Sequence, residues 1–211
     1  MNPTGLRRRF AVCACIGLSL GACTLAPTPR TGAGAGRVGA LPPPGYGTLR
    51  QEDVSISLMS GDLQLMVTPL HESVTRVTAP DTERRLAGMA EAHRASGGEG
   101  TVLFLVSFFS EQPDVRFVPE EVQLISRGIR LRPGTMTPVT PTWGQQRVRQ
   151  RQTEMAVYSF VGEVDLESDV ILSYGLEQTR VWSTILPRIQ AERARARARA
   201  GIGQFDTDRR K

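Results

Sequence analysis

The residues of this chain with the richest chemistry are few and scattered. They are three Cys, two His, a run of alternating acids, two Trp and an Arg-Ala repeat near the C-terminus. Cys13 and Cys15 sit inside an uncharged run from Phe10 to Ala22, and Cys23 follows it directly. His71 and His93 lie on different segments with no usable Cys nearby, whereas a zinc-type site wants three or four converging N or S ligands. No metal and no cofactor is therefore expected. Glu163, Asp165, Glu167 and Asp169 alternate after Gly162. Calcium takes several oxygens around a sharp Gly turn; here the Gly precedes the acids, and the stretch reads as a solvated loop beside an edge strand.

Catalytic grammar is equally thin, and no catalytic residue is assigned. There is no Gly-x-Ser-x-Gly and no Ser in a strand-to-helix elbow. Glu120 and Glu121 are adjacent, and adjacent residues on a strand point to opposite faces. Gly97-Gly98-Glu99-Gly100 precedes a strand, where a phosphate loop would open a helix. Trp143 is the one aromatic in a setting that suggests recognition: it sits near Pro138 and Pro141, with Arg147 and Arg149 following. Exposed, it would anchor an interface or a sugar; buried, it would plug a core together with Trp182.

The N-terminal Cys has a clearer context. Arg7-Arg8-Arg9 precede 13 uncharged residues that end in small side chains, the grammar of a secretory signal. A spanning helix needs about 20 apolar residues, so the run is too short to anchor as one. Its end, Leu20-Gly21-Ala22-Cys23, resembles the lipobox of bacterial lipoproteins. That resemblance implies cleavage before Cys23, acylation of Cys23 (palmitate among the chains), and attachment to the cell envelope through this N-terminal lipid. Thr24 follows where Asp would signal inner-membrane retention, so the resemblance implies the outer membrane in a cell that has two. Cleavage would also remove Cys13 and Cys15 and leave a body without disulfides.

Charge is poor evidence for one class of partner. The net charge is +5, but residues 1–22 hold three Arg and no acid, and residues 188–211 hold eight basic and three acidic residues. The body between them, 23–187, has 15 basic and 18 acidic residues and is net negative. The high pI belongs to the ends, so no nucleic-acid partner is expected.

These residues need a frame. Residues 23–50 are rich in Pro and Gly and low in large apolar side chains, the composition of a disordered tether after the lipidated Cys. From 51 to 187 the pattern is that of strands. Alternation over 53–68 with a turn at Ser60-Gly61-Asp62 predicts a hairpin. Leu86, Met89, Ala90 and His93 share one helical face over 81–95. Val102 to Phe109 reads as a central strand covered on both faces. Val115–Val118 follows, then a hairpin of 122–124 with 129–132 across Arg127-Gly128. Residues 133–146 read as a long connection, and 155–161, 169–174 and 180–186 as three more strands. About eight short strands with one inserted helix predict a mainly β fold, an antiparallel sandwich. Its segment order loosely resembles the immunoglobulin-like domains of bacterial lipoproteins, without their Cys–Trp–Cys signature.

Residues 188–211 form a basic tail, helical at first. Arg193, Arg195, Arg197 and Arg199 would scatter around such a helix and leave no apolar stripe, giving an electrostatic segment for anionic lipid or an acidic partner. The resulting expectation is a membrane-anchored, non-enzymatic envelope lipoprotein whose sandwich binds or assembles with another envelope protein. The alternative is a lipoprotein that binds a small ligand or polysaccharide at Trp143, Arg147 and Arg149. A hydrolase without a readable motif is the weaker third reading.

Overall fold

The apolar run at 102–109 lies at the centre of the molecule. In a computed structural model, which describes residues 41–98, 100 and 102–208 with side chains to 201, it forms strand β3 (Leu103–Phe109). Successive side chains on a strand point to opposite faces, and both sets are buried here. Phe104, Val106 and Phe108 join the main core, while Leu103 and Leu105 join a second cluster on the other face.

The elements in chain order are β1 (Ile56–Ser60), β2 (Leu63–Pro69), α1 (Glu72–Thr75), α2 (Pro80–Ala95), β3, β4 (Val115–Arg116), β5 (Val122–Ser126), β6 (Ile129–Leu131), β7 (Pro133–Pro138), β8 (Arg147–Val148), β9 (Thr153–Phe160), β10 (Val170–Tyr174), β11 (Glu177–Thr179) and α3 (Trp182–Asp208). The fold is mainly β. One antiparallel sheet has the order β1-β2-β3-β9-β7, a second β11-β10-β5-β6, and β4 pairs with β8. The inner faces of the two larger sheets share one core: Ile56, Leu65, Phe104 and Tyr158 from the first, Val122, Leu124, Val170 and Leu172 from the second. The outer face of the first sheet is covered by α2 through Leu86 and Ala90 against Leu103, Leu105 and Val157. The second cover of β3 is thus a helix.

The predicted hairpins and the helix at 81–95 are present, α2 beginning one residue early with Pro80 at its first turn. The turn Arg127-Gly128 has both φ angles positive, at 51° and 78°, the backbone of a two-residue hairpin turn whose twist matches the strands. His93 is a buried core His. Its Nδ1 lies 2.8 Å from the Thr137 hydroxyl, and Gly98 packs so close to Nε2 that no side chain would fit there.

Three expectations are corrected. Residues 133–146 are not a plain connection: β7 pairs with β9, from Pro133↔Phe160 to Pro138↔Ala156. Pro at both ends and a register irregularity hid its strand character. Residues 180–186 are not a strand: α3 starts at Trp182 and runs through Pro187. The tail does have a stripe. Trp182, Ile185, Ile189, Glu192 and Ala196 are all buried, at spacings of three and four. Glu192 in its middle disguised it.

The Pro/Gly-rich linker is corrected in part. Residues 41–49 run along the body, with Leu49 bonded to Val77 and Ala79. Gly47 lies against the Val77 carbonyl, so close that an added Cβ would sit 2.2 Å from the carbonyl carbon. Thr48 donates to Glu192 at 2.8 Å, Arg199 to the Tyr46 carbonyl at 2.7 Å, and the Gly45 N–H to Glu83 at 2.9 Å. This segment is a strap held between α2 and α3. No helix of the described residues is long and apolar enough to cross a membrane.

Candidate functional site

His71 caps α1 with its side chain: Nδ1 accepts from the Ser73 N–H at 3.2 Å and lies 2.8 Å from the Ser73 hydroxyl. With Nδ1 occupied, Nε2 is the ring nitrogen without a partner among the described residues, on an exposed side chain. Opposite stands the loop between β9 and β10. Its alternation resolves into two sets: Val164 and Leu166 turn into the core, and Glu163, Asp165 and Glu167 turn out. Between the two walls, with Val102 beside them, lies an open groove of about 570 Å³. That volume is within the range of ligand sites, about 300–1,000 Å³.

The loop is tightly held. Ser126 accepts from the Asp165 N–H at 3.0 Å. Arg127, on the β5–β6 turn, donates twice to the Asp165 carboxylate at 2.9 and 2.6 Å, and the Glu167 N–H donates to it at 3.0 Å. The Glu167 amide and then Arg127 hold the Asp165 carboxyl below its ordinary range. Arg193 of α3 ties the walls together. Its Nε donates to the Ser73 carbonyl at 2.9 Å, and its Nη1 meets Glu167 at 2.7 Å. Its side chain is only 14% exposed. Glu163 has no bonded cation among the described residues, and both it and His71 line the groove.

Ser73 and His71 do not make a nucleophile and base. Ser73 is buried, and its bond to His71 is part of the helix cap. Nε2 has no orienting carboxylate among the described residues, where a Ser-His pair needs one. Nor do three His, Cys, Asp or Glu side chains among those residues gather at one point where a metal ion could sit.

The predicted aromatic–Arg constellation does not assemble. Trp143 is 6% exposed and packs within the core against Phe117 and Phe108, ring centroids 5.0 and 5.8 Å away. Arg147 is exposed and paired with Asp114, and Arg149 is exposed. The structure places the four Arg of the tail on a docked helix. Arg193 is committed to the groove walls, and Arg199 to Glu192 and the strap. Arg197 donates to the Arg193 carbonyl at 3.2 Å. Arg195 is the most exposed of the four, 3.8 Å from Glu192. A helix docked by a stripe spends its charges on its neighbours. Cys23 lies outside the described residues.

The alternating acids were the visible signal of the groove. His71, Ser73 and Val102 carry no sequence mark and meet the acids only through the sheet. No protein-family model matches the chain, and comparison with curated proteins and with solved structures finds no match.

Proposed function

We propose that this chain is a bacterial envelope lipoprotein, anchored through acylated Cys23, whose body is a non-enzymatic docking module for another envelope protein. The observation that carries the reading is Leu20-Gly21-Ala22-Cys23 at the end of a short uncharged run behind three Arg. The body is proposed to be a β-sandwich of the broad immunoglobulin-like kind, in which the first three strands form a meander. Where the cell has two membranes, the outer one is its place.

One feature weighs against the small-ligand alternative. The aromatic that would stack on a sugar is in the core, so the ligand reading centred on Trp143 loses its platform. Edge-strand pairing is blunted at three of the four outer strands: β6 and β11 have three residues each and β7 carries Pro at both ends, while β1 is an outer strand of five residues. The groove beside His71 is one surface with both apolar and polar lining. Fractionation of cells tests the anchoring. The parent protein is expected with the membranes, released by detergent and not by high salt, and carrying labelled lipid; Cys23→Ser is expected in an uncleaved or soluble form without the label. Labelled-lipid incorporation into the variant at the level of the parent contradicts it.

A further inference from the structure

α2 covers only half of the sheet it lies on. It crosses the strands: near one end Arg85 donates to Gln51, which donates to Thr68 of β2 at 3.0 Å, and near the other His93 lies 2.8 Å from Thr137 of β7. Beneath it lie Leu103, Leu105 and Val157. Side chains two apart on a strand share a face, so Ser107 and Phe109 continue that outer face beyond the helix. Their cross-strand partners extend it into two rows. One row is Ser57, Met66, Ser107 and Met155; the next is Met59, Gln64, Phe109 and Thr153. Solvent reaches both. Met59 is 58% exposed, Ser57, Gln64 and Thr153 are exposed, and Met66, Phe109 and Met155 are half-buried.

None of these positions carries a charge, whereas the solvated face of an antiparallel sheet is ordinarily polar. Three Met and Phe109 make up its apolar surface. Val139, whose N–H donates to the Met155 carbonyl at 2.9 Å, extends the first row and is 38% exposed. Met89 of α2 and Met155 pack against the same cluster, so the helix flank that borders the patch is Met as well. Four of the six Met of the chain thus meet at one patch, and Met, unbranched and polarizable, adapts its shape to what it touches. Beyond Phe109, Arg151 and Glu111 pair with each other at 3.1 Å. Recognition here is apolar, with no charge to complement.

Size selects what can lie there. The two rows span about 13 Å along the strands and about 14–19 Å across four strands spaced about 4.8 Å apart. That is roughly 250 Å², against about 800 Å² per partner in a stable complex of folded proteins, so this face alone does not hold a second copy of the chain. It has the width of one helix with its side chains, about 10–12 Å, and it adjoins a helix that already fills the other half of the layer. The backbones of β2, β3 and β9 are paired on both sides, which leaves no edge for an added strand. From this uncharged, Met-rich half-layer we infer that the face takes one amphipathic helix of a partner protein, laid beside α2, whose contact stripe is apolar and uncharged at spacings of three and four. The inference rests on the docking reading above and names the element by which the partner is held.

Photo-cross-linking of the full-length protein in its own membranes tests it, with a diazirine side chain in place of Thr153 at the exposed end of the face. Mass spectrometry of the cross-linked peptides is expected to find a segment of another protein whose apolar residues recur at three and four. Met66→Glu sets an acid in mid-face and Met59→Glu one at its exposed corner; each should lower the yield at least about five-fold, since the helix would bury an unpaired charge. Leu176→Glu changes a Leu that is 99% exposed on the β10–β11 turn, off this face, and should leave the yield unchanged, which separates the face from general stickiness. Met59→Glu decides the matter if Met66→Glu fails to fold, and a melting midpoint equal to the parent's shows that it does not act through folding. A captured segment with apolar residues at every second position, capture of a second copy of this chain, a yield indifferent to Met59→Glu or lowered equally by Leu176→Glu, or no capture at all overturns the inference. A diazirine in place of Leu176 or Glu163 that captures a partner when the one at Thr153 does not overturns the face assignment alone and leaves the docking reading standing; capture from none of the three positions counts against both.

Discussion

Glu192 shows how one residue can mislead a sequence reading and then explain a structure. It is buried on α3, where burial pushes its carboxyl up; the Thr48 hydroxyl and Arg199 outweigh that and leave it below its ordinary value of 4.5. A carboxyl lowered by folding binds its proton more readily in the unfolded chain, so its stabilisation is full above that ordinary value and is lost as pH falls through the lower folded one. Glu192→Gln should therefore cost about 1–2 kcal/mol at neutral pH and flatten the acid limb of the melting curve below about pH 4.5. Asp165, also lowered, would supply the slope that remains. An acid limb as steep as the parent's would show that Glu192 is not held in this pair. Trp143 is the converse case, a residue whose type promised recognition and whose place is the core. Trp143→Ala is expected to lower stability by about 3–5 kcal/mol, while Arg147→Ala and Arg149→Ala stay within about 0.5 kcal/mol. Denaturant titration of the three variants checks this, and a stable Trp143→Ala would return the residue to the surface.

At the scale of elements, the strap and α3 are where the chain is held most unexpectedly. Gly47→Val places a branched side chain into the Val77 carbonyl, so the strap should lift. The expected signs are faster amide exchange over 41–49 and a loss of about 1–3 kcal/mol; unchanged exchange would mean that the strap is not seated there. Removing residues 24–40 should leave the melting midpoint unchanged, whereas removing 24–49 should lower it. The alternating strands were legible because each buries one face: Ile56 and Leu58, Leu63, Leu65 and Val67, and the long run of β3 all read with the period that they adopt. The strap was not legible, because its hold comes from backbone groups, one Gly and a Thr, which look like linker composition. Nor was the start of α3. Val181, Trp182 and Ile185 have the β-branched and aromatic character of strands, Pro187 suggests a boundary, and a Glu interrupts the stripe. The acids of the groove were visible, but their opposite wall, some 90 residues away in sequence, arrives only by pairing of β2, β3 and β9.

For the whole molecule, the distribution of charge follows from how the C-terminal helix docks. Much of the positive charge of that helix is paired, with Asp53, Glu167, Glu192 and the strap, so the folded surface is not the polycation that the pI of about 9.7 suggests. Between Cys23 and the strap lie residues 24–40, a length of chain that can reach at most about 60 Å. On the proposed acylation of Cys23, a domain held on such a length of chain would meet partners close to the membrane. A single acyl chain gives only marginal attachment, and stable anchoring takes more than one, so the chemistry at Cys23 decides whether the account holds. Mass spectrometry of the N-terminal peptide of protein purified from its own membranes measures it directly. The account predicts a chain that begins at Cys23, with its sulfur in thioether linkage to an acylated glycerol. A chain that retains residues before Cys23, or one that carries an unmodified Cys23, would contradict it.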